Sequence, residues 1–281
     1  MEQWLFLVAV LATSVVAGAI GAILGLGGGI VLVPILSMFY GVNLRDAMGA
    51  SIISVIATSS GAAAAYLRSG LSNIRIGLFL AMATVTGAIV GAGLVGLVPE
   101  AILELTLGLA LAYSTLVTLR QLNVEIPEPG HDRLAMSFEL EGAYYDATLD
   151  REVKYRAARV RRGLGAMFGA GLLSGLLGIG SGAFKVLAMD YFMRLPMKIS
   201  TATSNFMIGI TAAASAGIYF HRGDLRPLIV APVALGVLGG AYLGTRLTNR
   251  LRNATLRKLF LPVILYLAVS MILRGFGVHW P

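Results

Sequence analysis

GAIGAILGLGGGIVLVPIL at residues 18–36 and GLLSGLLGIGSGAFKVLAM at residues 171–189 are two apolar runs, each interrupted by a glycine cluster, GLGGG at 25–29 and GIGSG at 178–182. Glycine costs about 1 kcal/mol relative to alanine inside a helix, so such a cluster ends a helix rather than continuing it. The apolar segments that follow, 30–41 and 183–193, are too short to cross a bilayer. At about 1.5 Å per residue they reach roughly half to two-thirds of its hydrocarbon thickness. Each cluster therefore reads as the tip of a helical hairpin inside the membrane, where open backbone is tolerated only against protein or a cavity.

Working outward, apolar segments appear at 4–24, 47–67, 74–98 and 101–119, and again at 163–178, 199–220, 226–247 and 255–273. Most reach the roughly 20 residues that a spanning helix requires. Hydrophobic residues make up 57% of the 281 and charged residues only 13%, against roughly 25% charged in soluble domains. A chain this apolar lacks the polar surface to cover itself in water. Its 35 glycines suit membrane helices, which approach closely through small residues. The three histidines are scattered and there is no cysteine, so neither a metal site, a disulfide nor a cofactor is expected. The net charge of +8 comes from Lys and Arg in short loops, which points to membrane orientation and not to nucleic acid. The N-terminus lacks the basic stretch of a cleaved signal, so residues 4–24 read as a resident membrane segment.

The two halves repeat. An offset of 153 places Gly25, Gly27 and Gly29 on Gly178, Gly180 and Gly182, and pairs Phe39 with Phe192, Ser51 with Ser204, Thr58 with Thr211 and Tyr66 with Tyr219. The same offset pairs Gly70, Gly87 and Gly91 with Gly223, Gly240 and Gly244. Residues 120–162 carry eight of the 22 basic and eight of the 14 acidic residues, too polar to be embedded and expected in the cytoplasm. Counting spans from there puts the loop with Arg68 and Arg75 inside and the loop with Arg222 and Arg226 outside. The strongly basic loop, Arg246 to Lys258, falls inside, as the positive-inside bias requires. Equivalent loops then lie on opposite sides, the plan of inverted-repeat transporters whose sites sit near midplane beside broken helices.

The domain organisation expected is a transmembrane repeat at 1–120, a cytoplasmic linker at 121–162 and a second transmembrane repeat at 163–281. Within the linker, SFELEGAYYDATLDREVKYRAARV from Ser137 onward alternates polar with apolar and aromatic residues. That pattern suits a small β-hairpin, although two strands alone are marginal in water and an ordered linker is the plainer reading.

The site is expected where the two breaks meet. Helices that start at Gly27, Gly28 and Gly29 and at Gly180, Ser181 and Gly182 would aim unpaired N–H groups and positive dipole ends into a midplane cavity suited to an anion. Tight helix crossing through small residues is the plainer account of the same glycines. Lys185 stands in the otherwise apolar GAFKVLAMDYF. A cation in hydrocarbon costs several kcal/mol unless it is paired or faces a polar cavity. Asp190 lies five residues on, about 140° around an ideal helix, a poor local partner, which leaves an anionic substrate or carbonyls elsewhere. Ser51, Ser204 and Asn205 offer neutral donors to oxyanion oxygens, although serine also bonds its own helix backbone. Apart from Glu104 and Asp190 no carboxylate falls inside an expected span, so a cation site is disfavoured.

At residues 18–36 and 171–189 the chain resembles the TauE/SafE family of sulfite and organosulfonate exporters, the anion permease-like family. The resemblance runs through both halves and leaves out about 121–162. It implies ATP-independent transport of small sulfur-containing anions such as sulfite, sulfoacetate or related sulfonates. Ser181 stands where the family commonly has glycine, Leu187 stands where the first half has Pro34, and Lys185 is an addition.

The expectation is thus an all-α polytopic integral membrane protein of the cell membrane, with two inverted repeats and broken or re-entrant helices. Its function is expected to be secondary transport of a small anion by alternating access, its partners that solute, the lipid bilayer and a second copy in a homodimer. An anion channel or a membrane scaffold without carrier activity is the alternative. An enzyme is not expected: the Gly-x-Ser-Gly pattern fails because Ile179 stands two before Ser181, and His221 falls in an outer loop.

Overall fold

The structure, a computed structural model, describes residues 3–24, 28–68, 70–120, 132–146, 150–248 and 253–278. Five helices make the first half: α1 (Gln3–Leu24), α2 (Gly29–Phe39), α3 (Leu44–Arg68), α4 (Ile74–Leu94) and α5 (Glu100–Arg120). A short helix α6 (Arg133–Ser137) and two strands, β1 (Glu141–Asp146) and β2 (Arg151–Arg156), follow. The second half holds α7 (Val160–Leu177), α8 (Gly182–Leu187) running into a π-helical turn (Ala188–Phe192), α9 (Met197–His221), α10 (Pro227–Thr248) and α11 (Asn253–Gly275). Helices α2, α3, α4 and α5 each start 153 residues before α8, α9, α10 and α11. Among the described residues the chain is all-α apart from one hairpin.

Packing follows the same pairing. Helix α1 lies along α10, and its repeat counterpart α7 lies along α4. Glycines let these backbones touch. A methyl at Gly18 would run into the backbone of Val237, and one at Gly171 into that of Thr84, the residue 153 before Val237. Close approach of this kind gives van der Waals contact where lipid supplies no hydrophobic drive. Helix α3 packs on its own counterpart α9, and α5 on α11. Gly49 near the start of α3 abuts Asp224, just past the end of α9, while Ser72, just past α3, donates to the carbonyl of Ala202 near the start of α9 at 3.5 Å. Gly275 at the end of α11 abuts Ala101 at the start of α5. Both counterpart pairs therefore run antiparallel.

Large apolar side chains cover much of the outside, among them Trp4, Val8, Leu78, Met82, Leu109 and Leu235, all exposed. Contiguous apolar surface on this scale needs a partner other than water. Among the described residues, Trp4–Gly21 and Ile74–Leu94 are long and apolar enough to cross a membrane.

The polar insert is built onto this bundle. β1 and β2 pair antiparallel, Glu141 opposite Arg156, whereas Ser137 closes α6 instead of opening a strand. Two strands are marginal alone, and here Leu140, Tyr144, Val153 and Tyr155 join a core with Ile76, Leu80, Met189 and Met193. Asn73 Nδ2 donates to the Glu141 carbonyl at 3.1 Å and to Tyr155 Oη at 3.0 Å. The Ala158 N–H donates to the Met193 carbonyl at 2.8 Å, and Arg75 pairs with Glu139. The insert thereby ties the α3–α4 loop to the end of the π turn.

Candidate functional site

The second break is a run of left-handed backbone. Helix α7 stops at Leu177, and Gly178, Gly180 and Ser181 take φ of 67°, 73° and 45° before α8 begins at Gly182. Glycine enters that region without strain, whereas serine does so at a cost. In the first half Gly28 has φ 70° and α2 begins at Gly29, while Gly27 lies outside the described residues. Gly28 and Ser181 are repeat counterparts. A methyl at Gly28 would lie 3.2 Å from the Ala17 carbonyl. At the equivalent place Ser181 Oγ donates to the Ala170 carbonyl at 2.6 Å. The Ser181 hydroxyl is thus engaged with helix α7, and its proton is not offered to His221, which is exposed at the end of α9.

The two breaks converge on α3 and α9. Ser51 Oγ donates to the Gly178 carbonyl at 2.6 Å, and its counterpart Ser204 donates to the Gly182 carbonyl at 3.2 Å. A methyl at Gly29 would collide with Ser51 Oγ and would lie 3.3 Å from the Gly178 carbonyl, so the start of α2 sits against the end of α7. Asn205 is buried and its Nδ2 donates to the Thr201 carbonyl of its own helix at 3.0 Å. Gly28, Gly29, Ser51, Gly180, Ser181, Gly182, Ser204 and Asn205 are all buried around these breaks.

Lys185 is fully buried. Its Nζ donates to Thr211 Oγ1 at 2.9 Å and to the Gly180 carbonyl at 3.3 Å. Thr211 Oγ1 in turn meets Thr84 Oγ1 at 3.2 Å and the Met207 carbonyl at 2.7 Å. Among the described residues no carboxylate comes within ion-pair distance of Lys185: Asp46, Glu104 and Asp224 pair with Arg226, Arg274 and Arg222 at the ends of other helices. Asp190 on the π turn makes no pair with it either, in keeping with the poor angular match. The aromatic ring of Phe184, beside the lysine, stacks on Tyr113 of α5 with centroids 5.1 Å apart.

Thr84 and Thr211 were not among the residues singled out from the sequence. Thr211 carried a weak signal, since the repeat aligns it with Thr58. Thr84 carried none, because α4 is remote in sequence from α8 and its counterpart is Val237. A separate pocket of about 330 Å³ opens between α3 and α9, lined among others by Ile56, Ser59, Ser60, Phe206 and Gly209. Lys185 is not part of its lining.

No group of three or more His, Cys, Asp or Glu stands together among the described residues, and the geometry is one of broken helices around a buried lysine. A helical bundle with an apolar exterior and a lysine buried at broken helices is built for the bilayer. The sulfite exporter TauE/SafE family profile matches residues 10–271, and the chain belongs to that family. It is 25% identical over 267 residues to the probable membrane transporter protein YunE of Bacillus subtilis (strain 168), covering 92% of this chain and 95% of the relative. It is also 25% identical over 242 residues to the probable membrane transporter protein YdhB of the same organism, covering 85% and 89%. No solved structure matches the chain.

Proposed function

We propose that this family member is a secondary carrier of small anions, sulfite or organosulfonates, working by alternating access about a site near the middle of the membrane. The observation that carries the reading is the buried Lys185 ammonium, held among the described residues by Thr211 Oγ1 and the Gly180 carbonyl. A cation at depth without a counter-charge costs several kcal/mol, and a negatively charged solute at this break would supply one. The helix starts at Gly29 and Gly182 add backbone N–H donors that hold an oxyanion without adding a full charge. The relatives' names say membrane transporter, and the family description adds sulfite.

In this reading the halves 1–120 and 163–281 are inverted repeats in the cell membrane, multi-pass, with 121–162 in the cytoplasm. The antiparallel packing of α3 on α9 and of α5 on α11 supports it, because counterparts related by a twofold axis in the membrane plane must run in opposite directions. The contact between the insert and the α3–α4 loop agrees with the positive-inside count, which puts both on the same side. The burial of Lys185 favours a carrier over an open channel, since a conducting pore would leave the cation wetted.

The test is uptake into liposomes of labelled sulfite, sulfonates, sulfate and carboxylates, comparing wild type with Lys185→Met. Saturable uptake and counterflow by wild type, both lost in the variant, is the expected result. Unchanged kinetics in Lys185→Met would remove the lysine from the site, and non-saturating conduction would make the protein a channel. Cysteines at positions 68 and 222 should label from opposite compartments. Labelling from the same side would end the inverted arrangement.

A further inference from the structure

Resting on that carrier reading, we infer that Thr84, from the first half of the chain, is a positioning residue for the single anion site built on Lys185 in the second half. The geometry has three links. Lys185 Nζ donates to Thr211 Oγ1 at 2.9 Å, Thr211 Oγ1 reaches Thr84 Oγ1 at 3.2 Å, and Thr84 Oγ1 donates to the Ala81 carbonyl of its own helix at 3.2 Å. All three side chains are fully buried. Nothing in helix packing requires two threonine hydroxyls to meet there, since a valine fills the same volume.

Their chemistry explains the choice. An ammonium has three protons to place and no acceptor of its own, so between transport events it must be satisfied by neutral oxygens. The Thr211 hydroxyl has a single proton, and two acceptors for it, the Met207 carbonyl at 2.7 Å and Thr84 Oγ1 at 3.2 Å. Donated to Thr84 Oγ1, whose own proton goes to the Ala81 carbonyl, that proton points away from Lys185 and leaves the lone pairs of Thr211 turned to it. Thr84 anchors that orientation from across the boundary between the halves, so the ammonium stays aimed at the α7–α8 break. An arriving anion then displaces the weak 3.3 Å contact to the Gly180 carbonyl and takes over the freed proton.

The equivalent place in the other half is built differently. The counterparts of Lys185 and Thr84 are Leu32 and Val237, both fully buried. Thr58, the counterpart of Thr211, turns its hydroxyl to the Ser54 carbonyl at 2.9 Å. The repeat therefore carries one cation site and not two. One anion per chain follows, held from α8 and steadied from α4.

Val keeps the shape of threonine and Ser keeps its hydroxyl, so the two substitutions separate packing from positioning. In liposomes, the KM for labelled methanesulfonate should rise about five- to tenfold in Thr84→Val, the loss expected for a hydrogen bond in a charged network, with Vmax within about twofold. Thr84→Ser should stay close to wild type. Thr211→Val should behave like Thr84→Val, and Thr211→Ser like wild type. Thermal unfolding of each purified variant, in detergent, checks that it is folded. Wild-type kinetics in Thr84→Val, or equal damage in Thr84→Val and Thr84→Ser, overturns the positioning role. Titration of methanesulfonate that saturates at two per chain overturns the single site. Folded wild type that takes up no anion at all overturns the carrier reading itself, whatever the threonines do.

Discussion

The hydroxyl of Ser51 donates to the carbonyl of Gly178 across 2.6 Å, so α3 of the first half caps the end of α7 in the second. Both groups are buried. A helix end at this depth leaves carbonyls without partners inside the helix, and here the other half of the chain supplies one.

Removing that donor strands a buried carbonyl. Ser51→Ala should lower stability by about 1–3 kcal/mol, read as a fall in unfolding temperature in detergent. If the unfolding temperature does not move, the bond contributes nothing net.

Bulk at the breaks should stop transport without a change of charge. Gly28 is left-handed at φ 70° and faces the Ala17 carbonyl, and Ser181 is left-handed and enclosed. Gly28→Leu and Ser181→Leu should each lose anion uptake while Ser181→Gly retains it, since glycine relieves the backbone as the bond to Ala170 is lost. Full uptake by both leucine variants would make these positions plain packing.

Lys185→Met should unfold no earlier than wild type, because replacing an unpaired buried charge by an apolar chain of similar length is neutral or stabilising. Its uptake should nonetheless be absent. A large drop in unfolding temperature would assign the lysine to structure.

The ion pair between Arg222 and Asp224, 2.6 Å apart and with side chains 22% and 12% exposed, should count for more than the pair between Arg226 and Asp46. Asp46 is itself enclosed, at 10%, but Arg226 reaches it from solvent, 65% exposed, so water can take the place of its guanidinium, and pairs open to solvent are worth about 0–1 kcal/mol. Arg222→Ala leaves Asp224 enclosed without its partner and should cost about 3 kcal/mol, whereas Arg226→Ala should cost less than about 1 kcal/mol. Equal shifts in unfolding temperature would contradict this ranking.

Asn73→Ala removes both bonds that seat the hairpin, at Glu141 and Tyr155. Burial pushes the Tyr155 hydroxyl above its ordinary range, so it keeps its proton at neutral pH and the contact should not depend on pH there. Faster hydrogen exchange across 141–156 in the variant is the expected outcome, and exchange equal to wild type would show the hairpin held by its apolar core and the Ala158 and Arg75 contacts without Asn73.

The amino-acid sequence alone determined the helical class, the expected membrane setting, the 153-residue repeat and the places where helices break. Those properties are local: apolar run length, glycine clustering and charge placement act within a few turns of chain. It also singled out Lys185, because a charge in an apolar run is costly wherever the chain later packs. What only the tertiary structure decided is which groups meet. Ser181 bonds the Ala170 carbonyl, Ser51 caps α7, and Thr84 stands behind Lys185 from about a hundred residues away. The insert, ambiguous as a pattern, becomes a hairpin because the α3–α4 loop and the π turn complete its core. Contacts across the pseudo-symmetric halves depend on which helix faces meet, and hydroxyls on those faces have the same local pattern whether they bond their own backbone or another helix.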